Sequence, residues 1–355
     1  MMATPVTIPL PRSPDGLTAE WLTAALQERY PGVEVTALRH GRTVGGTGTK
    51  IQLLPEYNAA GCAAGLPAAL YAKGGFEWHE VAFANSYIAE AIFYADWAPR
   101  ITANIPRCHY AGHDEGQGIV LIEDLGLRPA TFGGGRVEPL DVDTVAQVVR
   151  LLAAIHAATW NAPGLGTLRT LGQRVGTNFI DHFLAPEYYA QCLSEPRGAF
   201  IPVEFHDPAR MLAGLRANWA QAETGPQSFC HGDAHMGNLF FEADGTPGLL
   251  DFQAYVRTGP LHDVSYHVVG SLAPEERRAH ERELLRLYLV ELARLGVSGM
   301  WDEEEAWLRF RQHTMHGLLW FATPEAMQPA AIVAAHGERF GKAARDYGLA
   351  ALLGV

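Results

Sequence analysis

The sequence predicts an α+β protein of two lobes, in which a small N-terminal lobe holds an antiparallel sheet plus a helix and a larger C-terminal lobe is mostly helical. The chain of 355 residues is longer than one ordinary domain, so two compact parts are expected. Strand-like segments concentrate in the first third, whereas apolar residues at helical spacing dominate the rest. We therefore predict a boundary that divides the chain into residues 1–126 and 127–355.

The N-terminal lobe is predicted to begin with a helix followed by a hairpin. Thr18 precedes the segment AEWLTAALQERY, whose apolar residues recur at helical spacing, and the Thr18 hydroxyl can accept a hydrogen bond from a backbone amide of the first turn. The next segment, VEVTALRHGRTVGGTGTKIQLLPEY, has β-branched residues on both sides of glycines that can adopt positive φ. It predicts two strands joined by a glycine-rich turn.

Three further strands and a long helix complete the predicted N-terminal lobe. LPAALYAKGG predicts a strand that carries Lys73, and EWHEVAFANSYIAEAIFYADWAP has the apolar spacing of a helix that ends near Pro99. ITANIPRCHYAG and GIVLIEDLG predict two more strands. A later glycine cluster, Gly133 to Gly135, is interpreted as a mobile turn.

The C-terminal lobe is predicted to be helical over DTVAQVVRLLAAIHAATW and near residues 205–222, 274–295 and 302–320. One segment, HGDAHMGNLFFEADGTPGLLDF, interrupts the helices. There we predict two short strands, LFF and GLLDF, joined through a turn at Asp244 and Gly245.

Composition narrows the classes of partner. The formal net charge of −12, from 39 acidic and 27 basic residues, argues against a nucleic-acid partner, which requires clustered Lys and Arg. No run of about 18 apolar residues is present and the N-terminus lacks the pattern of a signal peptide, so we expect a cytoplasmic protein without a membrane span. Four scattered cysteines without a C-x-x-C pair indicate reduced thiols.

Three oxygen-bearing side chains between residues 231 and 251 carry a chemical pattern. Asp233 and Asn238 have the D-x-x-x-x-N spacing with which a kinase catalytic loop aligns an acceptor and binds a metal ion, and Asp251 follows a hairpin. Carboxylate and amide oxygens are hard ligands suited to Mg²⁺. Phosphoryl transfer needs such groups because most of the catalytic task is stabilising spread negative charge.

The histidines of the same segment permit a second interpretation. His231 and His235 are four residues apart beside Cys230, a spacing that binds zinc when it lies on a helix. Gly232 and the strand pattern that follows favour a loop instead. We therefore expect His231 to hydrogen-bond the backbone and hold this loop, and His235 to do the same.

The segment HGDAHMGN at residues 231–238, followed by LLDFQ at residues 249–253, resembles the aminoglycoside phosphotransferase and choline kinase superfamily. The LLDFQ form is most similar to its ecdysteroid-kinase-like (CHK kinase-like) branch. The resemblance extends to LTAEWL, to VLIEDLG as a hinge, to LAAIHAATW and to GPLHDVSYHV. It implies a bilobal protein-kinase-like fold and a Mg-ATP-dependent phosphotransferase that phosphorylates a hydroxyl of a small molecule.

The resemblance also implies roles for individual residues of the C-terminal lobe. Asp233 would be the catalytic base, on a loop that His231 helps to hold. Asn238 and Asp251 would be the Mg²⁺ ligands. Asp263 would be a structural carboxylate that supports the catalytic loop.

On the nucleotide side, the resemblance implies that Lys73 holds the α- and β-phosphates. Its partner on the following helix would be Glu90, with Glu77 and Glu80 as competing candidates because the helix register is not fixed. Backbone groups of Glu123 to Leu125 would contact adenine. The glycine loop would contact the phosphates through Gly46, Thr47 and Gly48.

Two departures from the family pattern limit what the resemblance implies. The glycine loop TVGGTGT is not the G-x-G-x-x-G of protein kinases, and Phe252 and Gln253 stand where many aminoglycoside kinases have Trp and Glu. The second difference argues against antibiotic resistance as the function.

Several acceptors stay open: choline or ethanolamine, an aminoglycoside, a macrolide, a sugar and a hydroxylated steroid. Also open are ATP or GTP as donor, the oligomeric state, and a catalytically inactive nucleotide-binding regulator as the alternative function.

Overall fold

The computed structural model describes residues 8–45, 48–76, 84–178 and 180–355. The chain forms two compact units. The N-terminal unit is Met1–Ala130 together with Leu250–Ala254, and the C-terminal unit is Thr131–Leu249 together with Tyr255–Val355. The predicted α+β class is confirmed, because the first unit is built on a sheet and the second is mostly helical.

The N-terminal unit contains a five-stranded antiparallel sheet with the strand order β1-β2-β3-β5-β4. The strands are β1 (Val35–Val44), β2 (Thr49–Tyr57), β3 (Leu70–Gly74), β4 (Cys108–His113) and β5 (Gly118–Glu123). All five correspond to segments whose β-branched residues and alternating pattern predict strands. Alternation gives the sheet one apolar face, with Ile51, Leu53 and Ala72 buried in one core cluster.

Helix α1 (Ala19–Gln27) covers that apolar face. The Thr18 hydroxyl accepts a hydrogen bond from the Trp21 N–H, which caps the helix as predicted. Leu22 and Leu26 of α1 are fully buried in the same cluster as the sheet residues. The helix thereby buries the apolar face of the sheet, which would otherwise be exposed to water.

Among the described residues of this unit, the other α-helices are α2 (Ala59–Ala63) and α3 (Ala84–Ile92). The predicted helix over residues 77–99 is correct only in part: α3 is followed by a π-helical turn, Phe93–Trp97, and a 3₁₀ turn, Ala98–Arg100. Its first seven residues lie outside the described part of the chain. The irregular end agrees with Pro99, since a proline cannot donate within a regular helix.

The C-terminal unit is a set of packed helices. They are α4 (Val142–Ala158), α5 (Leu171–Asn178), α6 (Ile180–Phe183), α7 (Pro186–Ser194), α8 (Pro208–Ala222), α9 (Leu261–Ser271), α10 (Pro274–Arg294), α11 (Glu303–Leu319), α12 (Ala330–Tyr347) and α13 (Leu349–Leu353). Helix α9 is buried along its whole length, with α4 and α11 packed against it. None of the helices in the described residues is long and apolar enough to cross a lipid bilayer.

Two small sheets accompany these helices. Strand β6 (Thr131–Phe132) pairs with β8 (Leu239–Phe241), which pairs with β9 (Pro247–Leu249), and β7 (Ser228–Cys230) pairs with β10 (Val256–Thr258). All of these pairs are antiparallel.

The predicted hairpin of the interrupting segment is present, but its second strand is displaced. Gly245 has a φ of +85°, and the Asp244 side chain accepts the Thr246 N–H at 2.9 Å, as a tight turn requires. The strand ends at Leu249, so the prediction that Asp251 lies within a strand is wrong. Asp251 instead adopts a left-handed conformation with a φ of +64°.

Candidate active site

A loop over residues 231–238, which follows β7, contains Asp233 and Asn238. Helix α9 holds the backbone at the start of this loop: the Asp263 carboxylate accepts the His231 N–H at 2.6 Å and the Gly232 N–H at 2.9 Å. Burial alone would raise the pKa of Asp263, but the hydrogen bond and charge of His156 outweigh it and lower the pKa to about 2. Asp263 is therefore a buried anion that fixes two successive peptide groups.

The same face of α9 makes two more contacts with the loop. The His267 Nδ1 donates to the Ala234 carbonyl oxygen at 3.0 Å, and the Tyr266 hydroxyl interacts with the Asp233 carboxylate. Positions i, i+3 and i+4 of a helix lie on one face, so Asp263, Tyr266 and His267 contact the loop from a single side. The sequence predicts this role for Asp263 alone, because the contacts of Tyr266 and His267 depend on how α9 packs against the loop.

Asp233 and Asn238 are in direct contact. The Asn238 Nδ2 donates to the Asp233 carbonyl oxygen at 2.9 Å and lies 3.4 Å from its carboxylate Oδ2. These contacts engage the amide nitrogen of Asn238. The Asn238 Oδ1 is therefore the atom of this side chain that a cation would bind. The Asp233 side chain is 37% exposed, which makes its carboxylate accessible to a substrate.

The two histidines of the loop make backbone contacts. The His231 Nδ1 accepts the Asp233 N–H at 3.3 Å, and the His235 Nδ1 accepts the Gly237 N–H at 2.9 Å. The His235 Nε2 also lies 3.6 Å from the Asp233 Oδ2. Both rings thus support the loop that carries Asp233.

The structure gives no support to a zinc site at this pair of histidines. Within the described residues, three potential metal ligands come together only at His156, Cys230 and Asp263. That group is fully buried, and both ring nitrogens of His156 already interact, with Tyr288 at 2.9 Å and with Asp263 at 3.2 Å. It is a hydrogen-bonded support of the loop rather than a metal centre.

The glycine cluster Gly133 to Gly135, for which the sequence predicts a mobile turn, packs against the same loop through Gly133. The Gly133 N–H donates to the Leu239 carbonyl oxygen at 2.9 Å. A Cβ atom on Gly133 would lie 2.0 Å from the Met236 carbonyl oxygen, a distance that real Cβ atoms do not adopt. A glycine is therefore required at residue 133 because the loop backbone approaches it so closely.

This packing gives a prediction with an internal control. Gly133→Ala is expected to displace the turn that ends at Asn238 and to reduce turnover at least about 10-fold, because misplacing the predicted catalytic residues Asp233 and Asn238 would be costly. The neighbouring variant Gly134→Ala adds the same methyl group 3.7 Å from the Gly237 carbonyl oxygen, an ordinary contact, and should retain activity. Kinetics of the two purified variants test this, and equal activity in both would show that the close approach does not matter.

In the N-terminal unit, Lys73 on β3 forms ion pairs with two carboxylates. Its Nζ lies 2.7 Å from Glu90 Oε2 and 2.8 Å from Asp251 Oδ1, and the side chains of Lys73 and Glu90 are both almost fully buried. Burial alone would lower the pKa of Lys73, but the two carboxylates outweigh it and raise the pKa. Glu90 is thus a partner of Lys73, whereas Glu77 and Glu80 lie outside the described residues.

The segment Leu250–Ala254 is anchored in this unit by an aromatic contact. The rings of Phe252 and Phe93 stack with centroids 3.8 Å apart, and both are fully buried. Phe93 belongs to the π-helical turn that follows α3, the helix that carries Glu90. The stack therefore fixes Asp251 close to the Lys73–Glu90 pair.

The predicted hinge follows β5. The Glu123 N–H donates to the Arg107 carbonyl oxygen at 3.0 Å, and the Asp124 carboxylate accepts the Gly126 N–H and the Gln52 side chain at 2.8 and 2.6 Å. Among the described residues no group accepts a hydrogen bond from the Leu125 N–H.

Of the predicted glycine-loop residues Gly48 is buried, while Gly46 and Thr47 lie outside the described residues.

Comparison with known proteins adds the following findings. Residues 79–307, more than half of the chain, match the model of the phosphotransferase enzyme family APH. No sequence among curated proteins matches. The chain is similar to the solved structure of the GDP and kanamycin complex of APH(2")-IIia, with a TM-score of 0.51, 11% identity and coverage of 92% of this chain and 99% of that one.

Two other solved structures are similar at lower TM-scores. An aminoglycoside-3'-phosphotransferase of type VIII has a TM-score of 0.48 at 20% identity, with coverage of 84% of this chain and 98% of that one. Macrolide 2'-phosphotransferase MphH from Brachybacterium faecium has a TM-score of 0.44 at 16% identity, with coverage of 89% and 97%. The family match and the similarity at a TM-score of 0.51 confirm the predicted kinase-like fold class.

Proposed function

Because the chain belongs to the phosphotransferase enzyme family, we propose that it transfers the γ-phosphate of ATP to a hydroxyl of a small molecule in a Mg²⁺-dependent reaction. The observation that carries the proposal is the contact between Asp233 and Asn238 on a loop that α9 holds at three points. Asp233 orients the acceptor hydroxyl and takes its proton. A base held this rigidly fits a reaction in which catalysis is mostly positioning.

The groups that would hold Mg²⁺ are Asn238 and Asp251, as the sequence predicts. Both offer hard oxygen atoms, and the Asn238 amide is turned so that its nitrogen meets Asp233 and its oxygen stays available. When bound, the ion would neutralise negative charge on the phosphates. Asn238 and Asp251 thus each offer the type of ligand atom that the ion prefers.

On the nucleotide side, Lys73 would hold the α- and β-phosphates, with Glu90 fixing its position. The Leu125 N–H is the group of the predicted hinge best suited to donate a hydrogen bond to adenine, because the Glu123 N–H already donates to the Arg107 carbonyl oxygen. A regulator without activity is the weaker alternative, since such proteins usually lose a metal ligand or the base and this chain keeps Asp233, Asn238 and Asp251.

For the acceptor we propose a hydroxylated and largely apolar metabolite. The LLDFQ form of the segment around Asp251 supports placement in the ecdysteroid-kinase-like branch, and Phe252 and Gln253 replace the residues common in aminoglycoside kinases. Phe252 is fully buried, so the proposal rests on the similarity to this branch and not on a contact of Phe252 with the acceptor.

The test is a screen for phosphorylated product. Purified protein with Mg-ATP is incubated with a library of hydroxyl-bearing compounds that includes sterols, amino alcohols, sugars, aminoglycosides and macrolides, and products are read by mass spectrometry. We expect an added phosphate on one compound class and none when Mg²⁺ is chelated. Binding of ATP without any phosphorylated product across the library would favour the inactive regulator.

A further inference from the structure

Lysine is rare in this chain, and its positions are informative. Of the 27 basic residues only Lys50, Lys73 and Lys342 are lysines, and the other 24 are arginines. Lysine presents a compact ammonium group, whereas arginine presents a broad planar fork, so the two are not interchangeable at a tight site.

Two of the three lysines are neighbours in the sheet of the N-terminal unit. Lys50 on β2 and Lys73 on β3 are directly opposite each other in the antiparallel register. Opposite residues of such a pair project from the same face of the sheet with their Cβ atoms about 5 Å apart. Ile51 and Ala72, the next pair, are buried with α1, so the two lysines project from the other face.

The two ammonium groups differ in their partners. Lys73 is paired with Glu90 and Asp251, as described above. Lys50 is half-buried, yet no carboxylate of the described residues lies within ion-pair distance of it. Burial lowers the pKa of Lys50, and the positive charge of Lys73 lowers it further. The negative charges of Asp251 and Glu90 raise it again, but only in part. A half-buried cation for which the described residues supply no counterion is well suited to bind an anion.

We propose that Lys50 is a second cation for the phosphates of the nucleotide and acts beside Lys73. This inference rests on the proposed function, because it assumes that the Lys73 side of the sheet receives a nucleotide. A polyphosphate carries more negative charge than one lysine can balance, and Lys73 already has two carboxylate partners. Glu90 and Asp251 neutralise the charge of Lys73, so Lys50 supplies the additional positive charge that the phosphates need. Lys50 also lies two residues after Gly48 of the predicted phosphate loop.

The test compares ligands that differ only in their phosphates. Binding of adenosine, AMP and ADP in the presence of Mg²⁺ is measured by calorimetry for the wild type and for Lys50→Met. We expect ADP to bind about 10-fold more weakly to the variant while adenosine binds unchanged, since removal of one charge-assisted contact typically costs a factor of this order. Equal ADP affinity in the two proteins would overturn the proposal.

Two further variants separate charge from general damage. Lys50→Arg keeps the charge and should recover part of the ADP affinity. Lys342→Met removes the third lysine, which pairs with Glu338 at 2.6 Å in the C-terminal unit, and should bind ADP as the wild type does. The Lys50→Met protein should melt at the same or a higher temperature, because it loses a half-buried charge that no carboxylate of the described residues neutralises. If the wild type itself binds neither adenosine nor ADP, the nucleotide function fails together with this inference.

Chemical labelling gives an independent measurement. With three lysines in the chain, mass spectrometry can follow acetylation of each one. We expect Mg-ADP to slow acetylation of Lys50 several-fold and to leave that of Lys342 unchanged. Labelling of Lys50 at the same rate with and without saturating Mg-ADP would contradict a contact with the phosphates.

Discussion

Asp233→Asn is expected to lower kcat about 1,000-fold, because an amide cannot accept the proton of the acceptor hydroxyl. Asparagine has nearly the same shape as aspartate, and the Asn238 Nδ2 can still donate to the backbone carbonyl of residue 233. The loop should therefore keep its form. Binding of the nucleotide, measured with ADP, should change by no more than about 3-fold, since Lys73 and the predicted hinge are untouched.

A matched control separates the role of this carboxylate from a general effect of losing an acidic group. Asp244 is an exposed aspartate in the β8–β9 turn, where its side chain accepts the Thr246 N–H at 2.9 Å. Asp244→Asn removes the same charge at the tip of the hairpin and should leave kcat unchanged. A variant at Asp233 that retained the kcat of the wild type would refute its assignment as the base.

Local features of the structure were predictable from the sequence. The Thr18 cap, the hairpin of β1 and β2 and the Asp244–Gly245 turn depend on neighbouring residues and on glycine conformations, which a short segment specifies by itself. The association of Asp233 with Asn238 was predictable for the same reason. Both residues lie in one loop of eight residues.

Contacts between distant segments were not predictable in this way. Tyr266 and His267 contact the loop because α9 packs beneath it. The apolar pattern of α9 does not indicate which loop the helix will pack against. The opposition of Lys50 and Lys73 depends on the register between two strands, and a shift by one residue would place them on opposite faces. The role of Gly133 depends on the approach of a carbonyl group more than 100 residues away.

Asp251 shows how a functional position departs from a regular pattern. The apolar run before it predicts a strand, but the strand ends at Leu249 and Asp251 takes a φ of +64°. Aspartate and asparagine tolerate this left-handed region better than most residues other than glycine. The Phe252–Phe93 stack holds the segment in place despite the unfavourable backbone conformation.

This conformation makes Asp251→Asn the most informative change at the proposed metal site. Asparagine accepts the left-handed backbone, so the variant alters the charge and the ligand atoms without the strain that alanine would add. We expect turnover at moderate Mg²⁺ to fall at least about 100-fold, because a neutral amide is a weaker ligand than a carboxylate for the hard cation that Asp251 would hold. Part of the loss should be recovered as free Mg²⁺ rises.

Asp251 also pairs with Lys73, so the metal role must be separated from the effect on that lysine. Glu90→Gln removes the other carboxylate from the same ammonium group, which Glu90 contacts at 2.7 Å. Both variants are expected to lower kcat, but only Asp251→Asn should shift the midpoint of a Mg²⁺ titration of the initial rate to higher concentration. If the two titration midpoints move together, Asp251 acts through Lys73 alone and the assignment of Asp251 as a Mg²⁺ ligand is wrong.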